Sequence, residues 1–177
     1  MNKDLAVRAM AYKALHSAAA RTSAVWRDLI WLTRNETDPA VKRAGVWGLF
    51  EASNQHEVRD FLMSLAFDAR QERDLRLEAV KSLYRAMAYS ETRRPMIALG
   101  FNEREDETLR VAAILSLSAI AGTEVSRAIE GHLRNPDPEI RSAAIKAAGG
   151  GNQPEILNFF HLGTKVDDRH ISPIENE

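Results

Sequence analysis

Acidic and basic residues recur along the chain in pairs, and paired charges at fixed spacing are what general acid–base chemistry would need. In five places an acid stands three residues before an aliphatic residue, and a base directly follows that aliphatic residue. The acids are Asp4, Asp38, Glu72, Asp106 and Asp137, and the bases are Arg8, Lys42, Arg76, Arg110 and Arg141. We call these ten residues the charge ladder.

A structural role explains the charge ladder better than a catalytic one. An acid at the start of a helix accepts hydrogen bonds from free backbone amides and interacts favourably with the helix dipole. A base on the flank of each helix is placed to form ion pairs that fix the register between neighbouring helices. We therefore assign the ladder to structure.

Other residue types offer no catalytic arrangement. The chain has no cysteine, which removes thiolate nucleophiles, disulfides and cysteine metal sites together. The five histidines form no metal-binding pattern with other ligand-type residues. Nucleophile-elbow and phosphate-loop motifs are also absent. We expect no enzyme activity, no metal and no cofactor.

The spacing of the ladder shows how the chain is organised. Successive acids are 34, 34, 34 and 31 residues apart. Internal repetition at this period is typical of repeat proteins in which helical units stack side by side. Four residues after each aliphatic position, every repeat has a small residue. These are Ala11, Gly45, Ala79, Ala113 and Ala144. Such a column lets neighbouring helices approach closely.

Each repeat predicts two helices. The ladder phrase begins an amphipathic helix, because apolar residues recur at offsets that share one helical face. A second apolar segment separates successive ladder phrases, and no sustained alternation predicts a strand. These segments are residues 25–32, 58–67, 94–101, 125–133 and 154–162. The sequence therefore predicts an all-α fold of about ten helices.

The stretches DPAVKRAGV (38–46) and DPEIRSAAI (137–145) identify a resemblance. Over residues 4–162 the chain resembles the HEAT-like repeats, most closely the short bacterial phycobilisome-lyase type. The resemblance implies a right-handed α-solenoid of about five antiparallel helix pairs. It implies one domain over residues 1–162. Residues 163–177 are polar and have no apolar period, so we expect them to form a flexible tail. It also implies that the ladder helices line the concave face of the array.

Helix geometry then predicts which side chains face outward from the ladder helices. They combine aromatic, apolar and basic residues, and contiguous exposed apolar surface marks interaction sites. The predicted partner-binding residues are Arg43, Trp47, Phe50, Leu77, Lys81, Tyr84, Arg85, Leu115 and Lys146. The same helices also place Lys13 and Glu51 on this face. The alternative is that Trp47 and Phe50 pack against a neighbouring helix instead.

Composition limits the class of partner. The net charge is −1, so no global basic field favours nucleic acid or anionic lipid. The N-terminus lacks the apolar core of a signal peptide, and no apolar run is long enough to cross a membrane. We expect a cytoplasmic protein that does not bind membranes.

These features predict a non-catalytic protein-binding module, such as an adaptor, a regulatory subunit or an immunity-type inhibitor. Its partner would be an acidic or mixed-charge protein with an apolar anchor. The alternative is a nucleic-acid-binding protein, with a HEAT-like DNA glycosylase as its enzymatic form. A phycobilin lyase subunit is a further alternative that follows from the type of repeat alone.

Overall fold

The computed structural model describes residues 3–160, and all regular structure within them is helical, as the sequence predicts. The tail predicted over 163–177 lies outside the described residues. The α-helices are α1 (Lys3–Ala14), α2 (His16–Ala19), α3 (Ser23–Asn35), α4 (Pro39–Gly48), α5 (His56–Ala66), α6 (Arg73–Ser82), α7 (Ser90–Phe101), α8 (Glu107–Ser116), α9 (Thr123–His132), α10 (Pro138–Ala148) and α11 (Pro154–Phe159). Three short 3₁₀ helices follow α4, α6 and α8. They are η1 (Phe50–Ala52), η2 (Tyr84–Ala86) and η3 (Leu117–Ala119).

The helices form two rows. The five helices that carry the charge ladder, α1, α4, α6, α8 and α10, contact one another in that order, and we call them the signature row. The helices α3, α5, α7 and α9 each pack against the signature helix that follows, and we call them the companion row. Successive signature helices make more extensive backbone contacts than successive companion helices do.

Apolar columns of the signature helices build the core. The first aliphatic position of each repeat is buried at Val41, Leu75, Leu109 and Ile140. Burial of this kind is the main favourable term in folding. Two of the repeated aliphatic residues are exposed, because each lies on a terminal helix of the signature row. They are Val7 on α1, which is 59% exposed, and Ile145 on α10, which is 61% exposed.

The ladder acids act at helix starts in three repeats. The carboxylate of Asp38 accepts hydrogen bonds from the amides of Ala40 and Val41, both at 3.0 Å. Asp106 and Asp137 cap α8 and α10 in the same way. Such caps satisfy amides that have no partner within the helix. Glu72 makes no side-chain cap bond at α6, and Asp4 lies within the first turn of α1.

The ladder bases have a role that the sequence analysis missed. Nε of Arg76 donates to the carbonyl of Ala66 at 3.1 Å, and Nε of Arg110 donates to the carbonyl of Gly100 at 3.2 Å. Arg141 likewise donates to two carbonyls in the loop before α10. Arg76 and Arg110 therefore tie α6 and α8 to the ends of their companion helices, and Arg141 ties α10 to the loop that precedes it. Arg8 instead pairs with Glu36 at 3.4 Å, and Lys42 is half-buried.

Ion pairs do join neighbouring repeats, but within the described part of the chain, from Asp38 onward, none joins a ladder acid to a ladder base. Arg73 reaches Asp106 at 3.1 Å, and Arg76 forms a pair with Glu105. The hydrogen bond from Arg76 lowers the pKa of Glu105. In the companion row, Arg59 of α5 contacts Glu91 of α7 at 3.0 Å. Arg93 of α7 contacts Glu124 of α9 at 2.8 Å. Arg76 and Asp106 therefore pair with residues that stand next to a ladder position of the neighbouring repeat, namely Glu105 and Arg73.

Among residues 3–160, no helix combines the length and the apolar character needed to cross a membrane.

A buried histidine makes the stability of the fold depend on pH. The ring of His132 is buried, stacks on Phe101 with centroids 3.9 Å apart, and has no hydrogen-bond partner for Nδ1. Burial lowers its pKa, and the charge of Arg110 lowers it further. Below pH ~6.5, the ordinary histidine pKa, the unfolded chain takes up a proton that the folded chain excludes. The free energy of unfolding therefore falls as the pH drops through that value.

We expect His132→Leu to remove this contribution, which has a slope of at most about 1.4 kcal/mol per pH unit. Urea denaturation at pH 7.5 and pH 5.5 measures it. The exposed His56, which lies 3.4 Å from Asp60, provides the matched control. The wild-type protein and His56→Leu should lose more stability between the two pH values than His132→Leu does. An equal loss in all three proteins would contradict the assignment.

Candidate functional site

Trp47 lies at the centre of a mixed aromatic and basic surface on the signature row. Its side chain is half-buried on α4, and the ring of His16 lies 5.0 Å away, centroid to centroid. Nζ of Lys13 on α1 lies 5.9 Å from the Trp47 ring centroid, within the range of a cation–π interaction. Three elements, α1, α2 and α4, therefore meet at this indole ring.

The charges around Trp47 are unbalanced. Glu78 on α6 is half-buried, and burial raises its pKa against the opposing positive charges of Lys81, Lys13 and Arg43. Among the described residues, none of these three bases has a carboxylate within 4.0 Å. We call Lys13, Arg43, Trp47, Glu78 and Lys81 the Trp47 cluster. Three cations surround one carboxylate there, so the cluster carries a net positive charge.

Three of the residues predicted to face outward are buried instead. Phe50 and Tyr84 are each 8% exposed, and Leu115 is 5% exposed. The prediction extended α-helical geometry to Phe50 and Tyr84, but α4 ends at Gly48 and α6 ends at Ser82. A 3₁₀ turn follows in each case, and its tighter winding changes the direction of the side chains. Leu115 is covered because α8 lies between α6 and α10.

The remaining predicted binding residues differ in their exposure and in the contacts that they already make. Leu77 is half-buried and packs against the core, and Lys146 is exposed on α10. Arg85 is exposed but already has partners: it contacts Glu51 at 2.9 Å and lies over the Phe50 ring at 5.4 Å. The structure thus brings together Arg43, Trp47 and Lys81, and it separates them from Lys146. Sequence reasoning placed Lys13 on this face, but it did not assign Glu78 to it.

The last described segment of the chain covers part of the same face. The sequence pattern predicts a companion helix over 154–162, but the segment that contains α11 packs against α6 and η2 of an earlier repeat. The rings of Phe160 and Tyr84 are 4.3 Å apart, and Nζ of Lys81 lies 4.3 Å from the Phe159 ring centroid. Phe160 and Ile156 are both buried. This contact explains why Tyr84 is covered.

Two grooves open on the companion row, where sequence analysis predicted no site. One groove, between α7 and α9, has a volume of ≈ 680 Å³ and is lined by Ile97, Phe101, Ala128 and flanking charged residues. The other, between α3 and α5, has a volume of ≈ 340 Å³ and includes Trp31, which is 64% exposed. Exposed aromatic residues within the companion segments were the available signal for both grooves.

Neither the arrangement of potential metal ligands nor the comparison with known proteins identifies a further site. No group of three or more histidine, cysteine, aspartate or glutamate residues between positions 3 and 160 is arranged to hold a metal ion. A search against models of known protein families finds no match to the chain, and a search of curated protein sequences finds none either.

Proposed function

We propose that this chain is a right-handed α-solenoid of HEAT-like helix pairs that acts as a non-catalytic, cytoplasmic protein-binding module. The closer contacts among signature helices support curvature with the signature row on the concave side. Grooves open between companion helices, which agrees with a convex companion row. Concave surfaces of repeat arrays are extended binding faces.

The Trp47 cluster is the observation that carries the proposed function. A half-buried tryptophan with three bases near it that form no salt bridge among the described residues resembles the anchors that dominate protein interfaces, where tryptophan, tyrosine and arginine are enriched. A partner with an apolar anchor and neighbouring carboxylates would bury the indole ring and pair with Lys13, Arg43 and Lys81. No bond needs to be made or broken in this role.

Nucleic acid is the alternative occupant of the same cluster, because bases also stack on aromatic rings within basic grooves. Its contacts would be dominated by phosphates, so binding would weaken steeply with salt. A protein partner would instead depend on the buried indole ring. The two candidates therefore differ in how they respond to salt and to the loss of Trp47.

We expect Trp47→Ala to abolish capture of a stoichiometric partner from a nuclease-treated bacterial lysate, because it removes the anchor. Trp31→Ala is the matched control, since it removes an exposed tryptophan from the companion row. The wild-type protein and Trp31→Ala should capture the same protein, identified by mass spectrometry. A partner that Trp47→Ala captures as well as the wild type does would place the site elsewhere. Capture only when nuclease is omitted would favour nucleic acid.

A further inference from the structure

We infer that the surface around Tyr84 is a binding site for a short helix with two adjacent aromatic residues, and that the chain's own segment 151–160 is its resident, displaceable occupant. This inference rests on the proposed function in one respect, because the segment would regulate access to the same signature-row face. The contacts of the segment, its attachment and its overlap with the Trp47 cluster support it.

The segment is held by apolar and aromatic contacts. Ile156 and Phe160 are buried, the Phe160 ring packs against the Tyr84 ring at a tilt of 35°, and Phe159 packs against Lys81. Among the described residues, no side-chain hydrogen bond or ion pair joins the segment to the helical rows. Neighbouring repeats, in contrast, are joined by arginine–carboxylate pairs. The docked segment therefore lacks the polar contacts that fix the rest of the array.

The attachment of the segment permits movement. It begins at Gly151 and follows Gly149 and Gly150, and Gly150 has φ +87°, a backbone conformation that other residues rarely adopt. α11 has six residues, too few for a helix to be stable by itself in water. Its order therefore depends on docking. Gly151 also fits closely, because a Cβ at that position would clash with Oη of Tyr84.

The segment contacts Lys81, which belongs to the Trp47 cluster. Lys81 lies over Phe159 and is also one of the three cations that surround Glu78. A partner that engages Lys81 and an aromatic pocket at Tyr84 must first displace Phe159 and Phe160. The segment thus shows which chemistry fits this part of the face: a short apolar helix that ends in two aromatic residues.

A peptide of residues 151–160, GNQPEILNFF, tests the inference directly. The fluorescently labelled peptide is titrated into the full-length wild type and into the full-length variant Phe159→Ala/Phe160→Ala. The tethered segment competes at a high effective concentration in the wild type and not in the variant. We expect the variant to bind the peptide at least ten-fold more tightly, and adding Tyr84→Ala to the variant should abolish this gain.

The controls distinguish a binding site with a displaceable segment from a segment that is a permanent part of the fold. A peptide with both phenylalanines replaced by alanine should not bind the variant. Equal binding of GNQPEILNFF to the wild type and to the variant, or binding to neither, would overturn the inference if the circular dichroism of the variant matches that of the wild type. Should the variant fail to fold, hydrogen exchange of the wild type decides. Amides of α11 should exchange at least 100-fold faster than those of α10, and equal protection would contradict a displaceable segment.

The peptide titration needs no external partner, so it addresses this inference alone. Capture by Trp47→Ala addresses the proposed function alone. If the peptide result holds and the Trp47 result fails, the site at Tyr84 stands and the Trp47 cluster does not.

Discussion

Replacing Arg76 with methionine should lower the free energy of unfolding by about 3 kcal/mol, the lower end of the range for breaking a buried ion pair. The guanidinium group of Arg76 is buried, bonds the carbonyl of Ala66 and pairs with Glu105 of the next repeat. Methionine fills similar volume but leaves the Ala66 carbonyl and both carboxylate oxygens of Glu105 without this donor. Urea denaturation at pH 7 measures the loss.

Arg73→Met is the matched control for Arg76→Met. Arg73 also pairs with a carboxylate of the next repeat, Asp106, but its side chain is 53% exposed. Exposed pairs contribute roughly 0–1 kcal/mol, so this variant should be nearly as stable as the wild type. Similar losses in the two variants would show that burial of Arg76 is not what makes its pair important.

The Arg76 pair also predicts a pH dependence. Because Arg76 lowers the pKa of Glu105, the pair stabilises the fold above the ordinary glutamate value of about 4.3 and loses this effect as the pH falls below it. The stability difference between the wild type and Arg76→Met should therefore be smaller at pH 3 than at pH 7. An unchanged difference would contradict the coupling to Glu105.

Gly48→Ala should destabilise the protein by roughly 1–3 kcal/mol, the usual cost of overpacking. Gly48 ends α4 where it meets α1 and α3. A Cβ at this position would lie 2.6 Å from the backbone oxygen of Tyr12 and 2.9 Å from Cδ2 of Leu29. Backbone and a fully buried leucine cannot move away without shifting a helix. Thermal denaturation monitored by circular dichroism measures the effect.

Gly131→Ala provides the comparison for Gly48→Ala. A Cβ at Gly131 would lie 2.8 Å from Cζ of Phe101, but that ring is partly exposed and can rotate away. Alanine also favours the helix by up to about 1 kcal/mol relative to glycine. We expect this variant to be near neutral. If Gly131→Ala were as destabilising as Gly48→Ala, close approach of α1 and α4 would not explain the result.

The helices could be predicted from the sequence because each repeat has an acid at the helix start and the same spacing of apolar residues. Asp38, Asp106 and Asp137 mark helix starts that the structure shows, and the buried positions Val41, Leu75, Leu109 and Ile140 follow the predicted column. Local rules, namely capping and apolar periodicity, are sufficient for such features. The solenoid itself remains a proposal.

The sequence predicted only part of the set of outward-facing side chains, because helix type and tertiary packing also determine where a side chain points. Trp47 and Lys81 are half-buried, but Phe50 and Tyr84 turn inward where α-helix gives way to 3₁₀ helix. No residue that recurs from repeat to repeat indicates where the α-helix changes to a 3₁₀ helix. The docking of Phe160 on Tyr84 joins residues 76 positions apart, so it depends on tertiary packing rather than on local sequence.

Calorimetric titration of the captured, purified partner at 50 and 200 mM salt tests the proposed function most directly. Trp47→Ala should weaken binding by about 30-fold, the equivalent of losing 2 kcal/mol at an interface anchor, whereas Trp31→Ala should bind like the wild type. The wild-type affinity should change only modestly with salt. Equal affinities for Trp47→Ala and the wild type would contradict anchoring by Trp47, and an additional loss of roughly 10³-fold or more between the two salt concentrations would show that charge rather than the indole ring dominates binding.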